Sequence, residues 1–191
     1  MSARTHPQSN TSQRQRLVDD SLRILEQGRE LLSGLSPELH AQPEKSVASS
    51  GIGSHFRHVI EYFELFVQGL QSGTGRIDYD LRRRDERVER DPAYALERLT
   101  DLEAGLRETL SANGGDDALL IKADAVSEAP EDVPWARSSI ERELQFLSSH
   151  AVHHYALIAV ILRLNGEEPS AEFGVAPSTL RHWRESGTCA R

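Results

Sequence analysis

The chain has 191 residues, of which 38% are hydrophobic, 27% charged and 6% aromatic, enough for one well-buried domain and too apolar for wholesale disorder. With 22 Lys and Arg against 30 Asp and Glu it carries a formal charge of −8, which makes it a poor non-specific binder of nucleic acid. Its single cysteine, Cys189, excludes intramolecular disulfides and cysteine-cage metal sites; no run approaches the roughly 20 apolar residues of a membrane span, and the polar N-terminus lacks a secretory apolar core, so a cytoplasmic protein is expected.

Residues 1–12 read as a disordered polar leader. A helix is expected from about Gln13, where Leu17, Ser21, Ile24, Leu25, Leu31 and Leu32 recur at helical spacing until Gly34. Pro43 to Ser50 is Ser-rich and loop-like, with Ser49 or Ser50 available to cap a second helix from about Gly51 to Gln71. That helix carries Ile52, Phe56, Val59, Phe63, Phe66 and Leu70 on its apolar face. A mixed-charge stretch from Asp78 to Arg90 follows, without clear periodicity, and Asp91-Pro92 opens a third helix that ends near Asn113-Gly114-Gly115. Ala118 to Val126 reads as one or two short strands. The longest pattern runs from about Ser138 to Leu164, stopped by Asn165-Gly166, and a tail over 167–191 holds a short helix beginning near Pro177. The expectation is an all-α four-helix bundle over 13–166, with a long loop between helices 2 and 3 and a short C-terminal helix packing on the bundle.

Three histidines fall within five residues of the last long helix: His150, His153 and His154. The steps through Phe146, His150, His154, Leu157 and Ile161 are four, four, three and four, which marks His150 and His154 as core-facing. An i, i+4 pair of imidazoles on one helix face is a chelating arrangement, but the zincin protease motif needs Glu after the first histidine, and here that place is Ala151. A third ligand has to come from another helix, and the second helix offers His55 and His58. Periodicity prefers His55, nearer the centre of the apolar face, over His58 at its edge beside Tyr62 and Leu65. A pair of core histidines satisfied by hydrogen bonds is the plainer alternative.

The run Gly51-Ile52-Gly53-Ser54-His55-Phe56-Arg57-His58-Val59-Ile60-Glu61 resembles the second-helix signature of the DinB-like metal-binding four-helix bundles, and His150-Ala151-Val152-His153-His154-Tyr155-Ala156 resembles their late-helix motif. The resemblance implies a divalent metal held by His58, His150 and His154, with His58 placed first because Glu61 falls on the acidic position that follows the family's first ligand. His55, His153 and Glu61 become alternate ligands or outer partners. It further implies a metal-dependent enzyme of the hydrolase or thiol-dependent transferase and isomerase kind, in which three neutral imidazoles leave positions where water or a low-molecular-weight thiol is deprotonated. Zinc is favoured and nickel fits equally well by ligand type. The expected partner is a small molecule, a thiol among the candidates, with a homodimer plausible through the apolar tail.

Arg82 and Arg84 are candidate contacts for a substrate carboxylate or phosphate, although the interleaved Asp80, Asp85, Glu86 and Glu89 favour a self-neutralised solvated loop. Residues 174–187, with Arg181, His182 and Arg184, resemble the recognition helix of MerR-type DNA-binding domains. That resemblance implies the alternative reading, a non-enzymatic regulatory or DNA/partner-binding protein, which the acidic net charge and the short preceding segment disfavour.

Overall fold

The computed structural model describes residues 7–43, 50–112, 118–123 and 133–187. The first residues of the leader, the Ser49 cap, Asn113-Gly114-Gly115 and Val126 lie outside them. Helix α1 runs from Pro7 to Gly34, ahead of the Gln13 start that periodicity picks out. Proline loses nothing in a first helical turn, whose N–H groups have no intrahelical partner, and a turn of polar sequence has no apolar period to read. The short α2 (Pro37–Ala41) is capped by Ser36, whose hydroxyl accepts the Leu39 N–H at 3.2 Å.

Helix α3 (Ile52–Gln71) starts at Gly51 rather than a serine cap. It is followed by β1 (Arg76–Asp78) and α4 (Glu86–Arg90), then α5 (Pro92–Ala112). Asp91 opens α5 by accepting the N–H groups of Ala93 and Tyr94 at 3.0 and 3.1 Å. Strands β2 (Ala118–Lys122) and β3 (Ala136–Ser139) lead into α6 (Ile140–Leu164), capped by Ser139, and α7 spans Pro177–Ser186. Gly166 and Gly187 close α6 and α7 at φ 83° and 63°, the left-handed region that glycine enters without a Cβ clash.

Helices α1 and α3 each pack against both α5 and α6, so they occupy opposite corners of a four-helix bundle. Leu25, Phe56, Phe66, Leu99, Leu106, Leu144 and Ile158 fill its interior and are fully buried. The helical class therefore holds, with one addition. A three-stranded sheet in the order β1-β2-β3 sits beside the bundle, with β1 parallel to β2 and β2 antiparallel to β3, Ile77 opposite Ile121 and Ile121 opposite Ala136. Strands of three to five residues carry too few alternations to show a period of two. The sheet ties the exit of α3 to the entry of α6.

The Asp78–Arg90 stretch is no free solvated loop. Tyr79 and Val88 are buried, Glu61 accepts the Asp85 N–H at 2.8 Å, Arg57 ion-pairs with Glu89, and His40 Nε2–H donates to the Val88 carbonyl at 2.8 Å. Gly53 permits the closest approach, since a Cβ there would stand 2.0 Å from the Glu89 carbonyl oxygen. This segment covers the face of α3 that the bundle leaves open, and most of the helix is consequently buried.

On α6 the fully buried stripe is Leu144, Leu147, Ala151, Tyr155 and Ile158. Phe146, His150, His154 and Leu157 form the neighbouring, half-buried stripe, which corrects the core-facing reading of the histidine pair. Two adjacent apolar stripes have the same spacing, so periodicity cannot rank them. Beyond α6, Phe173 is buried and stacks on Tyr155 at 5.0 Å, whereas α7 has no buried residue.

Candidate metal centre

The half-buried stripe of α6 faces the edge of α3 that carries His58. Spacing of four on α6 stacks His150 and His154 on that side, and the helix pairing brings His58 between them. His58 Nε2 lies 2.8 Å from His150 Nε2, and His154 Nε2 lies 3.2 Å from the same atom. One nitrogen from each of the three rings falls within 4.8 Å of the other two. Imidazoles 2.0–2.1 Å from a tetrahedral ion hold their nitrogens roughly 3.3 Å apart, so the donor set fits a single small divalent cation without rearrangement of the helices.

Aromatic rings wall the cluster. Tyr62 stacks on His150 at 4.7 Å and touches His58 at 4.6 Å, and Tyr79 stacks on Tyr62 at 5.0 Å and 9°. Phe146 lies 5.5 Å from His150. Tyr79 is held by its hydroxyl, which donates to the buried carboxylate of Glu143 at 3.0 Å. The lining fixes ring planes by packing rather than by charge.

Electrostatics favour the neutral form of two of these imidazoles, His154 and His55. Burial, and after it the neighbouring histidines His58, His150, His55 and His153, holds His154 far below the usual histidine range, to about 2. Burial also lowers His55, with His153 adding to the effect. A neutral ring has a lone pair to give, which is the state metal ligation needs.

The two motifs that form this cluster lie within residues 24–158, the span that matches a family model described as the DinB superfamily. The chain belongs to the DinB superfamily. A curated relative, FK506-binding protein 5 of Rhizopus delemar, is 33% identical over 106 residues, which is 56% of the present chain and 27% of that protein. The chain thus matches about a quarter of that relative's length. No solved structure matches it.

Within this DinB superfamily bundle the expected site residues divide clearly. His58, His150 and His154 come together. His55 is the deeper residue, 5% exposed, as periodicity has it, yet its Nδ1 sits 2.9 Å from His154 Nδ1 and outside the trio. His153 is exposed, its ring edge-on to His154 at 5.3 Å. Glu61 points to the Asp85 amide and so holds the 78–90 segment. Arg82 reaches the centre, with Nη1 against His58 Nδ1 and the guanidinium 5.4 Å from the Tyr62 ring centroid. Arg84 is exposed at φ 53° and is not among the cluster's contacts. Sequence reasoning overlooked the Tyr62–Tyr79 wall; Tyr62, one turn after His58, was its one visible signal. In the tail, Arg184 of α7 pairs with Glu172 at 3.6 Å.

Proposed function

We propose that this DinB superfamily chain is a divalent-metal-dependent protein in which His58, His150 and His154 hold the ion and a water or a low-molecular-weight thiol becomes the nucleophile. The convergence of three imidazole nitrogens from two helices within 4.8 Å carries the reading. Three histidines with no carboxylate among them leave the ion's charge uncompensated and coordination positions vacant. Bound there, the ion supplies Lewis acidity that brings the pKa of a water or thiol ligand toward neutrality.

The protein's own residues supply the rest. Tyr62 and Phe146 present an apolar wall that limits water beside the cluster and orients the rings of His58 and His150. His55 receives the outer N–H of His154 and thereby keeps its Nε2 turned inward. Exposed His153 stands next to His154, where a proton can pass to solvent. The proposed substrate class is a small molecule acted on by hydrolysis or thiol transfer. Zinc is the proposed ion, with nickel the competing choice by ligand type.

Elemental analysis of tag-free protein tests the reading. One equivalent of zinc or nickel is expected in the wild type and none in His150→Ala or His154→Ala with helical circular dichroism retained. Wild-type protein that takes up no stoichiometric metal after equilibration with either ion would overturn it.

A further inference from the structure

Arg82 stands where it opposes metal binding. A guanidinium has only donors, so a neutral His58 accepts from Arg82 at Nδ1 and carries its own hydrogen on Nε2, the atom turned toward His150. A cation at the cluster takes the Nε2 lone pair and requires the hydrogen on Nδ1, directly against an N–H of Arg82. Donor would then face donor, with a positive guanidinium behind a ring that holds a dication. Both terms are unfavourable.

The fold also provides a second position for this side chain. Arg82 Nε and Glu61 Oε2 are both buried without a hydrogen-bond partner, and the two residues line one small cleft with Glu64, Leu65, Gln68 and Arg83. Glu61 Oε1 is already fixed by the Asp85 N–H, so the free oxygen is aimed beside the segment that carries Arg82. The Tyr62 face, over which the guanidinium lies, offers a flat surface for it to turn on.

We propose that Arg82 and a divalent ion compete for His58, and that metal loading transfers the guanidinium from His58 Nδ1 to Glu61 Oε2. The His58 hydrogen leaves Nε2 to water and one returns at Nδ1, so the ring's charge is unchanged. Arg82 is thus a positioning residue that sets the affinity of the centre and protects an unloaded site from casual cations. The inference rests on the metal-binding reading above.

Zinc affinity, measured on the metal-stripped full chain by competition with a chromophoric chelator, tests it. Arg82→Gln and Arg82→Met are expected to bind zinc about tenfold tighter than wild type, the scale on which partners of ligating histidines act. Glu61→Gln keeps an acceptor for the Asp85 N–H but loses the charge that receives Arg82; it is expected to bind several-fold more weakly, and to have no effect on top of Arg82→Gln. Unchanged or weaker binding in both Arg82 variants, with the helical spectrum intact, overturns the competition while leaving the metal reading standing. Full additivity of the two substitutions overturns the transfer to Glu61. Absence of zinc binding in the wild type and every variant overturns both the inference and the function it rests on.

Discussion

His55 Nδ1 lies 2.9 Å from His154 Nδ1. When His154 gives its Nε2 lone pair to a cation, its hydrogen resides on Nδ1 and is donated to His55, which fixes the tautomer and the plane of the ligand ring. His55 then carries its own hydrogen on Nε2. The most buried histidine of α3 therefore touches the trio through His154 and is not one of its members.

His55→Ala is expected to weaken zinc affinity by about 10–100-fold, the usual effect of removing such a partner. His58→Ala is expected to abolish stoichiometric binding at the same zinc concentration. Calorimetric titration of both metal-stripped variants separates the roles, and equal loss in the two would place His55 among the ligands.

Acidification is expected to destabilise the metal-free protein from about pH 6.5 downward. His154 titrates near the ordinary histidine value when unfolded and is lowered to about 2 by burial and its neighbours when folded. The unfolded chain binds the extra proton over that window, so stability is full above pH 6.5 and falls as pH drops. Burial lowers His55 and His40 in the same sense, whereas it raises Glu64 and Glu103, which act oppositely. Urea midpoints at pH 7.5, 6.0 and 5.0 should therefore fall less steeply in His154→Gln than in wild type; parallel slopes would contradict the assignment.

Gly28 on α1 is the close-packing point against α6. A Cβ there would stand 2.2 Å from the Tyr155 hydroxyl oxygen and 3.1 Å from a Phe56 ring carbon. Tyr155 is fully buried between Phe56 and Phe173 and has little room to withdraw. Gly28→Ala is expected to cost about 1–3 kcal/mol by overpacking, several degrees in Tm, while metal stoichiometry is kept. A thermal melt alongside elemental analysis checks both halves.

Gly53→Ala should act on the 78–90 segment instead. Its Cβ would collide with the Glu89 carbonyl, and backbone cannot yield as a flexible side chain does. The expected outcome is faster tryptic cleavage among Arg82, Arg83 and Arg84, with the bundle helices still resistant. Cleavage at the wild-type rate would show that this approach does not hold the segment down.

Much of the architecture is legible in the residues because helices and caps are local. Leu25, Leu32, Leu99 and Leu106 announce their faces by spacing, and Asp91-Pro92 marks a helix start through nearby backbone N–H groups. The sheet is the converse. Ile77 and Ile121 pair across a long stretch of chain, a relation that no local window contains.

Residue spacing alone puts two imidazoles one turn apart on α6 and two more on α3, because helical geometry converts spacing into a shared face. Periodicity favours His55 and the motif resemblance His58, and it is the packing of the helices that puts His58 beside both His150 and His154. That choice depends on how α3 is rotated about its axis, and the rotation is set by bodies distant in sequence. Helices α5 and α6 cover it on one side, and the 78–90 segment, held through Glu61, Arg57 and Gly53, covers it on the other. The deepest position thereby went to His55, and the seam with α6 went to His58.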